Sequence, residues 1–309
     1  MDDSKHQYDV IILGSGPAGL SAAIYTSRAA LSTLVIDPSS AGGQVRVTHQ
    51  VANYPGFVEP VFGYELAGNM RKQAEKYNTR FLLAADTTSL KLSEDEKWIE
   101  MDGKDRYTSN FVILATGTSP RMLNIPGERE YKGSGISYCA TCDAEFYKDK
   151  DIIVVGGGNS AMEESLLLLQ FVKSITFIHQ FDTLQAEKVT ADKVTANERV
   201  HVLWSHEPRA FIKNGKRMIV EAENLKTKDR IQLERDGIFI FVGLVPNSAF
   251  LRETAIKLTG SGYVMTNEQM ETNVRGVYAS GDVRDKKHRQ ITTAVGDGTI
   301  AALEIIHRI

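Results

Sequence analysis

The chain has 309 residues, which the usual domain-size range divides into about two domains. Its 42% hydrophobic and 24% charged content is that of an ordinary globular protein, and 36 Lys and Arg against 39 Asp and Glu give a net charge of −3. That excludes a strongly basic nucleic-acid footprint, and the most apolar window, Ile238 to Val245, falls far short of the roughly 18 residues of a membrane span. The opening, Met1-Asp2-Asp3-Ser4-Lys5-His6, has no apolar signal-peptide core, so the expectation is a cytoplasmic protein that binds neither nucleic acid nor membrane.

The first informative segment runs from Tyr8 to Gly19. A short apolar, β-branched strand pattern leads into Gly14-Ser15-Gly16-Pro17-Ala18-Gly19, and Ala-rich helical sequence follows from Leu20 to Ala30. A second strand pattern, Thr33 to Ile36, ends at Asp37, 23 residues beyond Gly14. This is the strand–turn–helix–strand setting that the dinucleotide fingerprint requires. Gly14, Gly16 and Gly19 permit the tight turn and close approach to a pyrophosphate, and the helix start offers N–H groups and partial positive charge. Asp37 is placed to accept hydrogen bonds from a ribose diol.

Residues 109–117 form an apolar strand running into a glycine, where the chain is expected to leave the first domain. The two cysteines, Cys139 and Cys142, follow as C-x-x-C. A four-residue loop staples almost nothing, and no second cysteine pair completes a zinc site, so the spacing favours redox chemistry and no metal. Then the nucleotide pattern recurs. Asp151 to Val155 leads into Gly156-Gly157-Gly158-Asn159-Ser160-Ala161, helical sequence to Leu169 and a strand from Ser174 to Ile178. Residues 236–246 form another apolar strand entering a crossover, and Gly276 to Asp282 a short strand ending in Gly-Asp before a final helix from about Gln290. Asp282 at that strand end suits the ribityl or phosphate-proximal hydroxyls of a flavin. The fold expected is α/β with two Rossmann-like nucleotide-binding domains. One is split over 1–117 and 246–309 and suited to FAD. The other, 118–245, is an inserted pyridine-nucleotide-type unit carrying the C-x-x-C.

The order of motifs resembles the low-molecular-weight thioredoxin reductases over essentially the whole chain. It comprises Gly14 to Gly19, Gly42-Gly43-Gln44, Asn53-Tyr54-Pro55-Gly56, Ala115-Thr116-Gly117, Cys139-Ala140-Thr141-Cys142-Asp143, Gly156 to Ala161, Gly281-Asp282 and Arg289-Gln290. The resemblance implies a homodimer with FAD in the split domain. Gln44 and Asn53 would approach the isoalloxazine, Asp282 the ribityl chain, and Arg289 and Gln290 belong to the same cofactor site. It further implies that Cys142 faces the flavin, that Cys139 attacks the disulfide of a thioredoxin, and that Asp143 serves as acid and base.

Two departures bear on the electron donor. NADPH-using relatives carry His-Arg-Arg-x-x-x-Arg after the second strand of the inserted domain, where guanidinium forks meet the 2′-phosphate. This chain reads His179-Gln180-Phe181-Asp182-Thr183-Leu184-Gln185, with every arginine replaced. In this it resembles the ferredoxin-dependent flavin thioredoxin reductases, which implies reduced ferredoxin as donor. NADH, with Asp182 near a ribose, is the alternative, and a small-molecule dithiol oxidase of the same architecture is another. Arg284, Lys286, Lys287, His288 and Arg289 form either a docking face for an acidic ferredoxin or a solvated loop. The second departure is Ala144, where the family has glycine after the C-A-T-C-D core, so the loop there is expected to sit differently.

Overall fold

The computed structural model describes residues 6–48, 50–51, 53–103 and 105–309; residues 1–5, read above for a signal-peptide core, lie outside these. The chain divides into two compact units, Met1–Ser119 with Val245–Ile309, and Pro120–Leu244. The sequence places the two crossings at 117/118 and 245/246; the structure places them at 119/120 and 244/245.

The first unit begins with β1 (Gln7–Leu13), α1 (Pro17–Arg28), β2 (Thr33–Asp37), α2 (Gly43–Arg46), β3 (Gln50–Val51), β4 (Val61–Phe62) and α3 (Gly63–Glu75). It continues through β5 (Arg80–Leu83), β6 (Thr87–Leu92), β7 (Lys97–Met101) and β8 (Asp105–Leu114) to β9 (Thr118–Pro120), at the crossing. The second unit holds β10 (Ile136–Ser137), α4 (Ala140–Asp143), β11 (Asp151–Val155), α5 (Asn159–Leu168), β12 (Ser174–His179) and α6 (Lys188–Thr195). After β13 (Val200–Trp204) come β14 (His206–Asn214), β15 (Arg217–Asn224), β16 (Arg230–Arg235) and β17 (Gly237–Ile240). The chain returns through β18 (Leu244–Pro246), which pairs with β9, and finishes the first unit with β19 (Val277–Ala279) and α7 (Ile291–Ile306).

The sheet of the first unit runs β5-β2-β1-β8-β7-β6, with β19 also on β8. β8 is long enough for two neighbours on one edge: Asp105 to Thr108 pair antiparallel with β7, and Val112 to Leu114 pair parallel with β19. The strands at the centre are buried on both faces, which is why they read as near-continuous apolar runs. Ile11 and Leu13 of β1 face a core with Leu34, Ile36, Ile99 and Val277, while Val10 and Ile12 face the helices α1 and α7. Those helices meet through small side chains, among them Ala18, Ala22, Ala294 and Ala301. A Cβ on Gly298 of α7 would lie 2.0 Å from the Ala18 carbonyl oxygen, so glycine is what lets the helices approach so closely.

In the second unit five parallel strands run β10-β17-β11-β12-β13. One face packs Ile152, Val154, Phe177 and Phe239 against Ala161, Met162 and Leu168 of α5. The other packs Ile153, Val155, Ile178 and Ile240 against Phe211, Val220 and Ala222 of the antiparallel layer β14-β15-β16, a layer that the sequence reading did not anticipate.

Because relieving the contact requires the α1 or α7 backbone to move, Gly298→Ala should cost about 1–3 kcal/mol. The expected result is a lowered Tm by calorimetry, with release of flavin at lower temperature than from the parent protein.

Candidate active site

In the first unit the β1–α1 turn is built so that only glycine fits. Gly14 has φ +105°, and a Cβ on it would lie 2.2 Å from Ala115 O, while one on Gly19 would lie 2.0 Å from Gly14 O. Gly16 is the N-cap of α1 with Pro17 at the first helical position, and among the described residues no side chain caps the helix start. The opening N–H groups are therefore available to an anion. Gly43, at the start of α2, lies against Gly16: its Cβ would come 2.9 Å from Gly16 Cα. Gln44, next in line, is exposed.

Asp37, expected from its position at a ribose diol, is held by the two serines that flank it in space. Its Oδ2 accepts from Ser15 N–H (2.7 Å) and Ser15 Oγ (2.7 Å), and Oδ1 from Ser39 N–H (2.8 Å) and Ser39 Oγ (2.7 Å). A carboxylate offers about four acceptor positions, and these bonds take all of them. Asp37, buried at the end of β2, braces the glycine turn from within.

At the other edge of this cradle Asn53 Nδ2 donates to Gln290 Oε1 (3.2 Å), and Gln290 is the N-cap of α7, closing a capping box with Thr293. The Arg289 guanidinium lies 4.2 Å from the Tyr263 ring centroid and donates from Nε to Asp282 O (3.4 Å). Burial pushes the Asp282 carboxyl up, against the pull of Lys286 and Arg289, and its buried Oδ1 accepts no hydrogen bond among the described residues. A buried carboxylate oxygen whose one ion-pair contact among the described residues is Lys286 Nζ at 3.8 Å, beside a glycine cradle with an uncapped helix start, fits the hydroxyls and pyrophosphate of a dinucleotide.

The basic run after Asp282 is not an open face. Arg284 Nη1 and Lys286 Nζ bind Asp297 of α7 at 3.0 and 2.9 Å, and Asp297 Oδ2 also accepts from Gly281 N–H (3.1 Å). With Arg289 stacked on Tyr263, only Lys287 and His288 of the five are exposed. Asp297 is the residue missed from sequence. Its signal was a charge embedded in the small and apolar run Ala294-Val295-Gly296-Asp297-Gly298, where only a paired charge is tolerated.

In the second unit Cys139 and Cys142 form a disulfide with Cα atoms 5.3 Å apart. Cys139 is the N-cap of α4, and its Sγ accepts from Cys142 N–H (3.2 Å). Ser137 Oγ accepts from Cys139 N–H (3.1 Å), and Glu164 Oε2, from α5, accepts from Ala140 N–H (3.2 Å). Next to the pair, Tyr138 OH donates to Glu128 Oε1 (2.6 Å), and Glu128, wholly buried, also accepts from Leu123 N–H (2.8 Å) and Asn124 N–H. Burial and then the Glu128 carboxylate push the Tyr138 phenol upward. Asp143 closes α4, and after burial its charge is the main influence raising the Tyr147 phenol. Ala144 enters a 3₁₀ turn over Ala144–Tyr147 at φ −54°, with its methyl buried, so this backbone needs no glycine.

The second glycine turn repeats the first. Gly156 has φ +134°, with its Cβ position 2.3 Å from Phe241 O, and Gly158, the N-cap of α5, has no side-chain cap among the described residues and nothing within 4 Å of its Cβ position. The His179 ring is buried against Gly157 and bonded through Nε2 to Thr183 O (2.9 Å), an ordinary strand-end histidine. The following loop is tied down by Gln185 N–H to Gly157 O (2.9 Å) and Glu187 N–H to Asn159 Oδ1 (2.7 Å). Gln180, Phe181 and Gln185 are exposed, and Asp182 binds Ser205 Oγ and Lys226 Nζ (2.6 Å).

A split dinucleotide-binding unit and a second such unit carrying a disulfide at a helix start define a class, the flavin-dependent disulfide oxidoreductases. Residues 8–298 match the family described as pyridine nucleotide-disulphide oxidoreductase. The chain is 40% identical to the thioredoxin reductase of Bacillus subtilis (strain 168), over 98% of this chain and 95% of the relative. It is 42% identical to a 34.2 kDa protein of the rubredoxin operon of Clostridium pasteurianum, over 97% and 96%. The crystal structure of Lactococcus lactis thioredoxin reductase superposes with a TM-score of 0.84 at 38% identity, covering 98% of this chain and 100% of that one. The chain belongs to the pyridine nucleotide-disulphide oxidoreductase family, and its cofactor is FAD.

Asp297→Ala takes the main counter-charge from the largely covered Arg284 and Lys286, a change that costs up to about 3 kcal/mol. We expect a fall in Tm together with weaker retention of FAD, read by flavin fluorescence after gel filtration, and Asp297→Glu to restore part of both.

Proposed function

We propose that the protein is a thioredoxin-disulfide reductase that takes its electrons from reduced ferredoxin and acts as a cytoplasmic homodimer. Thioredoxin as acceptor is supported by the Bacillus subtilis and Lactococcus lactis relatives, which are thioredoxin reductases, and by the intact Cys139–Cys142–Asp143 set. FAD, held by the Gly14–Gly19 turn and the Asp282, Arg289 and Gln290 edge, supplies the two-electron relay between donor and dithiol. Exchange with thioredoxin is then carried by the protein's own sulfurs. A thiolate of the pair attacks the partner disulfide, forming a mixed disulfide and releasing one partner thiolate. The second cysteine attacks that mixed disulfide, releases the other partner sulfur and closes the Cys139–Cys142 bond. Asp143, adjacent in the chain, is suited to move the protons that the thiols lose and regain.

The observation that carries the donor assignment is the loop 179–185. No guanidinium stands at positions 180, 181 or 185, Phe181 is 48% exposed, and the one carboxylate there is already engaged by Lys226 and Ser205. A 2′-phosphate meets no counter-charge from this loop, and Asp182 is taken up by protein groups rather than left for a ribose. An iron–sulfur donor, delivering one electron per molecule, needs two encounters per cycle and no such loop. The second glycine turn, with the start of α5 left without a side-chain cap at Gly158, is what favours NADH as the second reading.

Anaerobic titration of the flavin absorbance separates the donors. Reduced ferredoxin should bleach the flavin and drive reduction of thioredoxin, with NADPH and NADH doing neither on the timescale of turnover. Bleaching by either nucleotide on that timescale makes the second unit a working nucleotide site. Restoring the charges with Gln180→Arg, Phe181→Arg and Gln185→Arg should introduce a response to NADPH ahead of NADH. Phe146, 72% exposed and four residues past Cys142, is the apolar anchor we expect for the acceptor. Phe146→Ala should raise KM for thioredoxin by about tenfold, the loss of one aromatic anchor, and leave turnover of a small disulfide unchanged.

A further inference from the structure

The N–H groups at the start of α4 are divided between a sulfur and a carboxylate. Cys142 N–H points to Cys139 Sγ, while Ala140 N–H, one residue from that sulfur, points to Glu164 Oε2 at 3.2 Å. Glu164 reaches across from α5, the helix opened by the second glycine turn, and is not part of any motif noted in the sequence. We propose that Glu164 is a positioning residue that sets the ionisation of the Cys139 thiol through this shared helix end. The inference rests on the reading of Cys139–Cys142 as the pair that cycles.

A backbone N–H that points at a sulfur favours its thiolate, as Cys142 N–H does at Cys139 Sγ. Here a carboxylate draws on the nearby Ala140 N–H and adds a like charge, which opposes the thiolate. Burial pushes the Glu164 carboxyl up, the Ala140 and Thr141 N–H groups pull it down, and Glu163 pushes it up again. No basic group enters that balance. From α4 and the turn after it the titratable groups are Asp143, Glu145 and Tyr147; from α6, which packs on α5, they are the exposed Lys188, Asp192 and Lys193. Asp151 of β11 is engaged by Ser174 and Lys173. Opening the disulfide takes up two electrons and two protons to give two thiols. Loss of a proton from Cys139 then puts negative charge one residue from the N–H that Glu164 holds, and the two groups favour carrying one such charge between them. The consequence is a dithiol less acidic than the Cys142 N–H alone would make it.

Glu164→Gln keeps an acceptor for Ala140 N–H and removes the charge. The FAD-loaded enzyme is reduced under argon, alkylated with iodoacetamide across pH, and read at Cys139 by mass spectrometry. The expected result is an alkylation midpoint lower by about half to one pH unit, roughly 3- to 10-fold more thiolate below it. In glutathione redox buffer held above that midpoint, the dithiol-to-disulfide ratio should rise by the same factor. A midpoint and ratio equal to those of the parent enzyme overturn the proposal, as does an equal shift in Glu163→Gln, which alters the exposed neighbour on the same helix. Should Glu164→Gln fail to retain flavin, the unaltered enzyme decides. With ¹³C-labelled glutamate, its dithiol-minus-disulfide infrared spectrum should contain a labelled carboxyl band, and the lack of one overturns the proposal. Thioredoxin turnover that survives in Cys139→Ser overturns the cycling role instead, and does so without bearing on the alkylation midpoint.

Discussion

Both units depend on one close approach, in which a strand turns into a helix hard against the carbonyl that ends a neighbouring strand. In the first unit the Cβ position of Gly14 falls 2.2 Å from Ala115 O, and in the second that of Gly156 falls 2.3 Å from Phe241 O. No other residue type can occupy either place without moving the sheet. The turn aims the opening N–H groups of a helix outward and leaves them without a side-chain cap, so the same packing constraint that fixes the fold also prepares an anion seat. The two turns differ at the third small residue. Gly19 has no room for a Cβ against Gly14 O, whereas Ala161 keeps its methyl at the corresponding position, 3.4 Å from the Cβ position of Gly156.

Around these turns the protein spends buried carboxylates on its own backbone. Asp37 holds Ser15 and Ser39, Asp297 holds Gly281, Arg284 and Lys286, and Glu128 holds two N–H groups and the Tyr138 phenol. Such groups are tolerated inside only when their acceptor positions are filled. Their effect is to fix segments that carry chemistry but have little regular structure of their own, namely the β1–α1 turn, the Gly281–Asp282 step and the approach to Cys139.

The glycine turns, their strands and the C-x-x-C were legible in the sequence because each is a local requirement written in consecutive residues. The donors and acceptors that meet across the fold were not. Asp37 ends a strand 23 residues after Gly14, as a ribose-binding residue does, and that Ser15 and Ser39 donate to it follows only from geometry. The basic run from Arg284 to Arg289 has the composition of a docking face, yet Asp297 of α7, 13 residues beyond Arg284 and 11 beyond Lys286, draws both of them inward. Ala144, where the family has glycine, is a right-handed residue with a buried methyl, and that conformation is not written in the C-A-T-C-D motif before it. The layer β14-β15-β16 has no motif, because its strands are specified by pairing with one another and by one apolar face.

The split of the first unit has a consequence for synthesis. Residues up to Ser119 leave the ribosome carrying β1, α1 and β8, but β19 and the helix that covers α1 lie beyond residue 244. The intervening 125 residues, Pro120 to Leu244, form a unit with its own core and can condense first. At ordinary elongation rates the earlier half therefore waits on the order of ten seconds with one edge of β8 and the alanine face of α1 uncovered. During that interval the nascent chain presents the apolar surface that chaperones recognise, so the gene order itself makes the flavin unit the last part of the molecule to become resistant to aggregation and proteolysis.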